Sequence, residues 1–101
     1  MKALGELQQL LMLALLRLEE DAYGAAIRRE LAEVAGRKLS ISSVYVTLVR
    51  MEEQGLVASR DGEVPATGGR PRRCFRPTDS GLEALKATRG AADKMWSGVE
   101  I

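Results

Sequence analysis

The sequence predicts a mainly α fold with one small β-hairpin, arranged as a winged helix-turn-helix with a C-terminal dimerisation helix. Three observations carry that expectation. Apolar residues recur at helical spacing in segments that open near Leu4, Asp21, Ser40 and Thr78. Between the last two lie two short runs of strand character, L-V-A-S-R and R-R-C-F-R, separated by Gly62, Pro65, Gly68, Gly69 and Pro71. The basic residues gather in the same region: Arg37, Lys38, Arg50, Arg60, Arg70, Arg72, Arg73 and Arg76 stand against only Glu52, Glu53, Asp61 and Glu63. The rest of the chain is richer in acid, so the net charge of +1 hides a basic centre between acidic ends. That distribution suits a polyanion-binding face.

The first helix is expected over Leu4 to Leu18, where strong helix formers dominate and no Pro or β-branched residue intervenes. It is apolar nearly all round, which calls for burial on two sides: one by its own domain, the other by a second subunit. Asp21 is expected to cap the second helix, with Tyr23, Ile27, Leu31 and Val34 inward and Gly36 as its stop. Ser40 caps the third helix and Gly55 ends it. Ile41, Val44, Leu48 and Met51 form its buried side; Ser42, Ser43, Val46, Val49 and Arg50 form the other, with Tyr45 and Thr47 on the flanks. Strands are expected at Leu56 to Arg60 and Arg72 to Arg76. Thr78 then caps a last helix whose Leu82, Leu85, Arg89, Ala92, Trp96 and Val99 alternate by three and four, a coiled-coil rhythm weakened at Arg89 and Gly90.

Composition removes several function classes. The chain of 101 residues makes one domain with a single core, small enough to gain from a partner. The lone Cys74 rules out an internal disulfide and a four-thiolate zinc site, and histidine is absent. No nucleophile–base pair can be assembled, and Glu52 and Glu53, adjacent on a helix, diverge by about 100°; no enzyme, metal or cofactor is expected. Leu10 to Leu16 is too short to span a bilayer, which needs about 20 residues, and it lacks a signal-peptide pattern. A cytoplasmic protein is expected.

What remains is a helix able to lie in a DNA groove, followed by a basic wing. The major groove, about 12 Å wide, admits one helix, and small polar side chains let its backbone approach. Ser42, Ser43 and Thr47 suit phosphates or base edges, Arg50 guanine or phosphate, Val46 a thymine methyl, Tyr45 a phosphate. Lys38 precedes the helix. Arg70, Arg72 and Arg73 stand at the end of a glycine loop, placed to track the backbone or enter the minor groove. The bland readings are a solvated helix face and a charged edge strand that resists aggregation. Cys74 reads as a small semi-buried apolar residue ahead of a redox sensor, and Trp96 as packing ahead of ligand stacking.

The motifs also carry a resemblance. L-G-E-L-Q-Q-L-L-M-L-A-L-L (Leu4 to Leu16) resembles the opening helix of the PadR family of bacterial transcriptional regulators, and Y-G-A-A-I-R-R-E-L (Tyr23 to Leu31) its Y-G-x-x-I second helix. S-V-Y-V-T-L-V-R-M-E-E-Q-G-L-V (Ser43 to Val57) is similar to the family's recognition helix, commonly T-L-Y-x-x-L-x-R-L-E-x-x-G-L-I. G-G-R-P-R-R-C-F-R-P-T-D-S-G (Gly68 to Gly81) resembles its wing and final-helix start. Cys74 and Phe75 replace a usual tyrosine pair, Pro77 a leucine, and Ile41 a frequent proline. The resemblance implies a homodimer on a pseudo-palindromic operator, acting as a repressor, and a place among the family's small members. In those, the terminal helices join the subunits and the space between them accepts an apolar effector.

The combined expectation is a DNA-binding domain over residues 1–78 and a dimerisation helix over 79–101, packed on the N-terminal helix. Lys38, Ser42, Ser43, Tyr45, Val46, Thr47, Arg50, Arg70, Arg72 and Arg73 are the DNA-binding candidates. Leu10, Leu13, Leu85, Ala92, Trp96 and Val99 are the dimer candidates, and Trp96 the effector candidate. The competing class is a winged-helix protein–protein interaction module whose basic face meets an acidic partner, without specific DNA binding.

Overall fold

The computed structural model describes residues 3–101 and runs α1 (Glu6–Leu18), a short 3-10 turn (Glu19–Asp21), α2 (Gly24–Ala35), α3 (Ile41–Glu53), β1 (Val57–Asp61), β2 (Arg73–Pro77) and α4 (Asp79–Trp96). The first two residues of the expected 1–78 unit lie outside the described residues. The predicted class is what forms: helices around one core, with a single two-stranded antiparallel hairpin.

Helix α1 starts two residues later than expected. Leu4 stays outside the helix, buried, with its N–H donated to Thr88 Oγ1 of α4 at 3.1 Å. Asp21 does not cap α2. It closes the 3-10 turn, and Tyr23 stands at the N-cap without a side-chain bond. The cause is tertiary: Ala22 accepts the Phe75 N–H at 2.9 Å, and Tyr23 forms a bridge with Cys74. These two residues extend the edge of β2, and that pairing delays the helix.

Other local signals act as read. Gly36 takes the left-handed conformation at φ 66°. Ser40 Oγ accepts the Ser43 N–H at 3.1 Å and Thr78 Oγ1 the Gly81 N–H at 3.0 Å, each capping a helix. Gly55 turns the chain out of α3 at φ 76°, and the Leu56 N–H reaches back to the Met51 carbonyl at 2.9 Å. Both strands lie one residue later than expected. Val57 pairs with Pro77, Ser59 with Phe75 and Asp61 with Arg73. Pro77, with no N–H to give, is the last residue of β2.

The core gathers Leu11, Met12 and Leu15 of α1, Ile27 of α2, Val44, Leu48 and Met51 of α3, and Phe75 of β2, each with almost no exposed surface. Burying each large side chain contributes about 1.5–3 kcal/mol. Helix α4 docks by its first half only. At Gly81 the helix passes so close to β1's approach that a Cβ would lie 2.0 Å from the Leu56 carbonyl oxygen. Ala84 is buried next, and every residue from Ala91 onward is exposed. The projecting end gives the molecule a length of 54 Å against 27 and 20 Å across. Three apolar side chains depart from their expected places. Val34 is exposed on the rim of a hollow between α1 and α2, Ile41 in the first turn of α3 is exposed instead of lying on its buried side, and Val99 lies past the end of α4, outside any helical seam. No helix among the described residues is long and apolar enough to cross a membrane.

Candidate nucleic-acid interface

The third helix is held from behind by Val44, Leu48 and Met51, so its opposite side must face out. That side carries Ser42, Ser43, Val46 and Arg50 in the open, with Thr47 and Val49 half-buried at its borders. Val46 is 50% exposed although apolar. Among the described residues Ser42 and Arg50 make no side-chain hydrogen bond or ion pair. Ser43 is less free, because its hydroxyl accepts from Ser40 Oγ at 2.9 Å. Thr47 Oγ1 donates to the Ser43 carbonyl at 2.8 Å.

Tyr45 has a different surrounding from that expected of a surface donor. Its ring is half-buried and lies over Gly24, where an added Cβ would stand 2.7 Å from Cε2. It meets Phe75 edge-on with centroids 6.0 Å apart. The ring therefore locks α3 against α2 and β2, and only the phenol end is left to reach a phosphate.

The wing's pairing extends past the strands: Gly62 donates to the Arg72 carbonyl and Arg72 to that of Glu63 at 3.1 Å. Beyond it Gly68 and Gly69 take φ 86° and 100°, and Arg70 stands exposed after them. Arg72 is exposed, its guanidinium carbon 4.2 Å from the centre of the Tyr23 ring. Arg73 is differently placed. Its Nη2 lies 2.5 Å from Glu52 Oε1 and its guanidinium covers Phe75 at 5.2 Å, so it turns inward, away from its two neighbours. The sequence could not separate Arg72 from Arg73; strand alternation sends them to opposite faces.

Lys38 is exposed in the turn before α3. That turn is pinned by Arg28, whose Nε donates to the Leu39 carbonyl at 2.9 Å. Arg28, Arg29 and Lys38 consequently line one shallow groove beside the start of α3. The two arginines belong to α2, and only the turn brings them beside Lys38. The arrangement is an exposed helix with serines, a valine and an arginine, with Arg28, Arg29 and Lys38 gathered beside its start and the basic wing following it in the chain. It is suited to a polyanion with a groove.

The remaining candidates lie elsewhere. Leu10 is half-buried and Leu13 45% exposed; with Val34 they frame an apolar hollow of about 240 Å³ between α1 and α2. Leu85 is half-buried, while Ala92, Trp96 and Val99 are exposed, Trp96 to 57%. Leu10 and Leu85 pack partly against the core, whereas Leu13, Ala92, Trp96 and Val99 stay exposed within one chain. Cys74 is buried, consistent with its reading as a small apolar residue. Among the described residues no cluster of His, Cys, Asp or Glu is placed to hold a metal ion.

Comparison with known proteins gives one consistent result. The model of the transcriptional regulator PadR-like family matches residues 12–87. The transcriptional regulator Rv3488 of Mycobacterium tuberculosis is 34% identical over 77 residues, which span 76% of this chain and 68% of that protein. The crystal structure of a PadR family transcriptional regulator from Eggerthella lenta is similar at 34% identity and a TM-score of 0.69, over 92% of this chain and 81% of that one. A PadR-like regulator from Bacillus cereus shares the fold at 21% identity and a TM-score of 0.71, over 90% of this chain and 84% of its own.

Proposed function

The chain belongs to the PadR-like family of transcriptional regulators, and on that premise we propose that it acts as a homodimeric repressor on a pseudo-palindromic operator. The family is one of DNA-binding regulators, not enzymes. The observation that carries the residue-level reading is the outward side of α3, where Ser42, Val46 and Arg50 stand exposed and Arg28, Arg29 and Lys38 gather beside the helix start. In this reading α3 enters the major groove. Arg50 takes a guanine edge or phosphate, Val46 a thymine methyl, and Ser42, Ser43 and Thr47 the backbone or base edges. Lys38 and the Tyr45 phenol hold phosphates at the helix start; Arg70 and Arg72 grip the flanking backbone or minor groove.

The unit over residues 1–78 then reads DNA, and residues 79–101 join two copies in the cytoplasm. Leu10, Leu13, Leu85, Ala92 and Trp96 meet across the dimer, and Val99 adds apolar surface beyond the helix end. Two reading helices would address half-sites about one helical turn apart. An apolar effector seated against Trp96 between the subunits would change that spacing and release the operator. The support is the uncovered apolar surface of α1 and of the end of α4.

Fluorescence anisotropy tests the proposal with duplex DNA from upstream of the protein's own gene, at physiological salt, with scrambled duplex as competitor. A preference of about a thousandfold is expected. Equal, weak binding to both duplexes would reduce the interface to a basic surface, and retention of an acidic protein without DNA would favour the interaction-module alternative. Quenching of the single tryptophan by a panel of apolar compounds tests the effector.

A further inference from the structure

We propose that Glu52 is a positioning residue for DNA recognition, which ties the wing to the reading helix at one angle so that both engage a single duplex. This rests on the DNA-reading role of α3 and goes beyond it by assigning the part that sets the geometry between helix and wing. Glu52 lies in the last turn of α3 and uses both carboxylate oxygens. Oε2 accepts the Ser59 hydroxyl of β1 at 2.6 Å, and Oε1 accepts Arg73 Nη2 of β2 at 2.5 Å. One side chain thus bridges three elements.

The register explains how. Ser59 opposes Phe75 and Arg73 is two residues along, so Ser59, Phe75 and Arg73 share the hairpin face turned toward α3. Arg73 is further fixed by lying over the Phe75 ring, which itself meets Tyr45 of α3. The covalent link gives little stiffness by comparison. Only Gln54, Gly55 and Leu56 join α3 to β1, with Gly55 in the left-handed conformation. A two-stranded hairpin is weak by itself, and the loop between Asp61 and Arg73 adds no cover. Phe75 in the core and the pairing of β2 with Ala22 and Tyr23 anchor the base of the hairpin; the carboxylate bridge adds the side-chain tie between the end of α3 and both strands. The pair is partly exposed, with side chains 30% and 41% accessible, so it contributes little to global stability. Its effect lies in direction, which Arg72 and Arg70 inherit from the loop that leads directly into β2.

The test uses a duplex selected by the wild-type protein from random-sequence DNA, whole and with its flanks trimmed to the base pairs the reading helix protects. Wild type should bind the whole duplex more tightly than the trimmed one. Glu52→Gln and Arg73→Gln should each lose that gain, about tenfold, while binding the trimmed duplex as wild type does. Arg73→Lys, which keeps the charge, should retain most of it, and the double variant should lose no more than either single one. Thermal melts by circular dichroism confirm that each variant is folded.

Two results overturn the proposal. If Glu52→Gln binds more tightly with a steeper salt dependence while Arg73→Gln weakens both duplexes, Arg73 contacts DNA and Glu52 merely neutralises it. If both variants melt earlier yet keep the flank-dependent gain, the bridge is only stabilising. A wild-type protein that selects no duplex removes the DNA reading itself, a failure distinct from these.

Discussion

Arg50 and Arg72 carry the same charge but occupy different chemical positions. Arg50 stands on the exposed side of α3 without a partner among the described residues, beside the apolar Val46. A guanidinium there can meet a base edge, where two parallel donors discriminate guanine. Arg50→Ala should therefore weaken the preferred duplex by about 1–3 kcal/mol and a scrambled one far less, read by competition anisotropy. Arg72 rests on the Tyr23 ring at the base of the wing, a poor place from which to read bases. Arg72→Ala should weaken both duplexes alike and flatten the slope of log affinity against log salt by about one unit. If the two variants behaved identically, the division into reading helix and gripping wing would fail.

At the scale of elements, the docking of α4 depends on a close approach rather than on large side chains. Gly81 lies against the Leu56 carbonyl and the Met12 methyl, with no room for a Cβ. Gly90, in the same helix, meets nothing within 4 Å. The two glycines should respond in opposite directions to alanine. Gly81→Ala should cost about 1–3 kcal/mol by overpacking, which in a domain of this size lowers the melting temperature by roughly 4–8 °C per kcal/mol. Gly90→Ala should raise it by up to about 4–8 °C, because alanine is the better helix former by about 1 kcal/mol. Calorimetry of the pair checks both. Equal losses would mean that α4 is strained along its whole length instead of at one contact.

At the scale of the molecule, two apolar surfaces lack cover within one chain. Leu13 and Leu16 are nearly half exposed on α1, and Met95, Trp96 and Val99 are exposed at the end of α4. Every described residue from Ala91 onward is exposed, and helical ends without packing are marginal in water. A second copy would supply the missing contacts, so sedimentation should give the mass of two chains. The melting temperature should rise with protein concentration, as linkage to association requires. Leu13→Glu, which places a charge on the uncovered side of α1, should shift the mass toward one chain. A concentration-independent melt at single-chain mass would remove the dimer from the proposal.

Much of this protein was legible in its residues because the signals are local. Ser40 and Thr78 accept the N–H three residues on, Gly36 and Gly55 adopt the left-handed turn, and Pro77 ends a strand for want of a donor. Each needs only its own neighbours, and helical periodicity likewise names Val44, Leu48 and Met51 as core without reference to the rest of the fold. What required the tertiary structure were the residues whose role depends on a distant partner. Asp21 was displaced as a cap because Ala22 and Tyr23 pair with β2, more than fifty positions away. Arg73 reads as a third wing cation until the hairpin register turns it onto Glu52. Arg28 and Arg29 join Lys38 only when the turn before α3 folds back on α2. Sequence order states which side chains a surface has available. Which of them face outward is settled by competition between partners that meet only when the chain has folded.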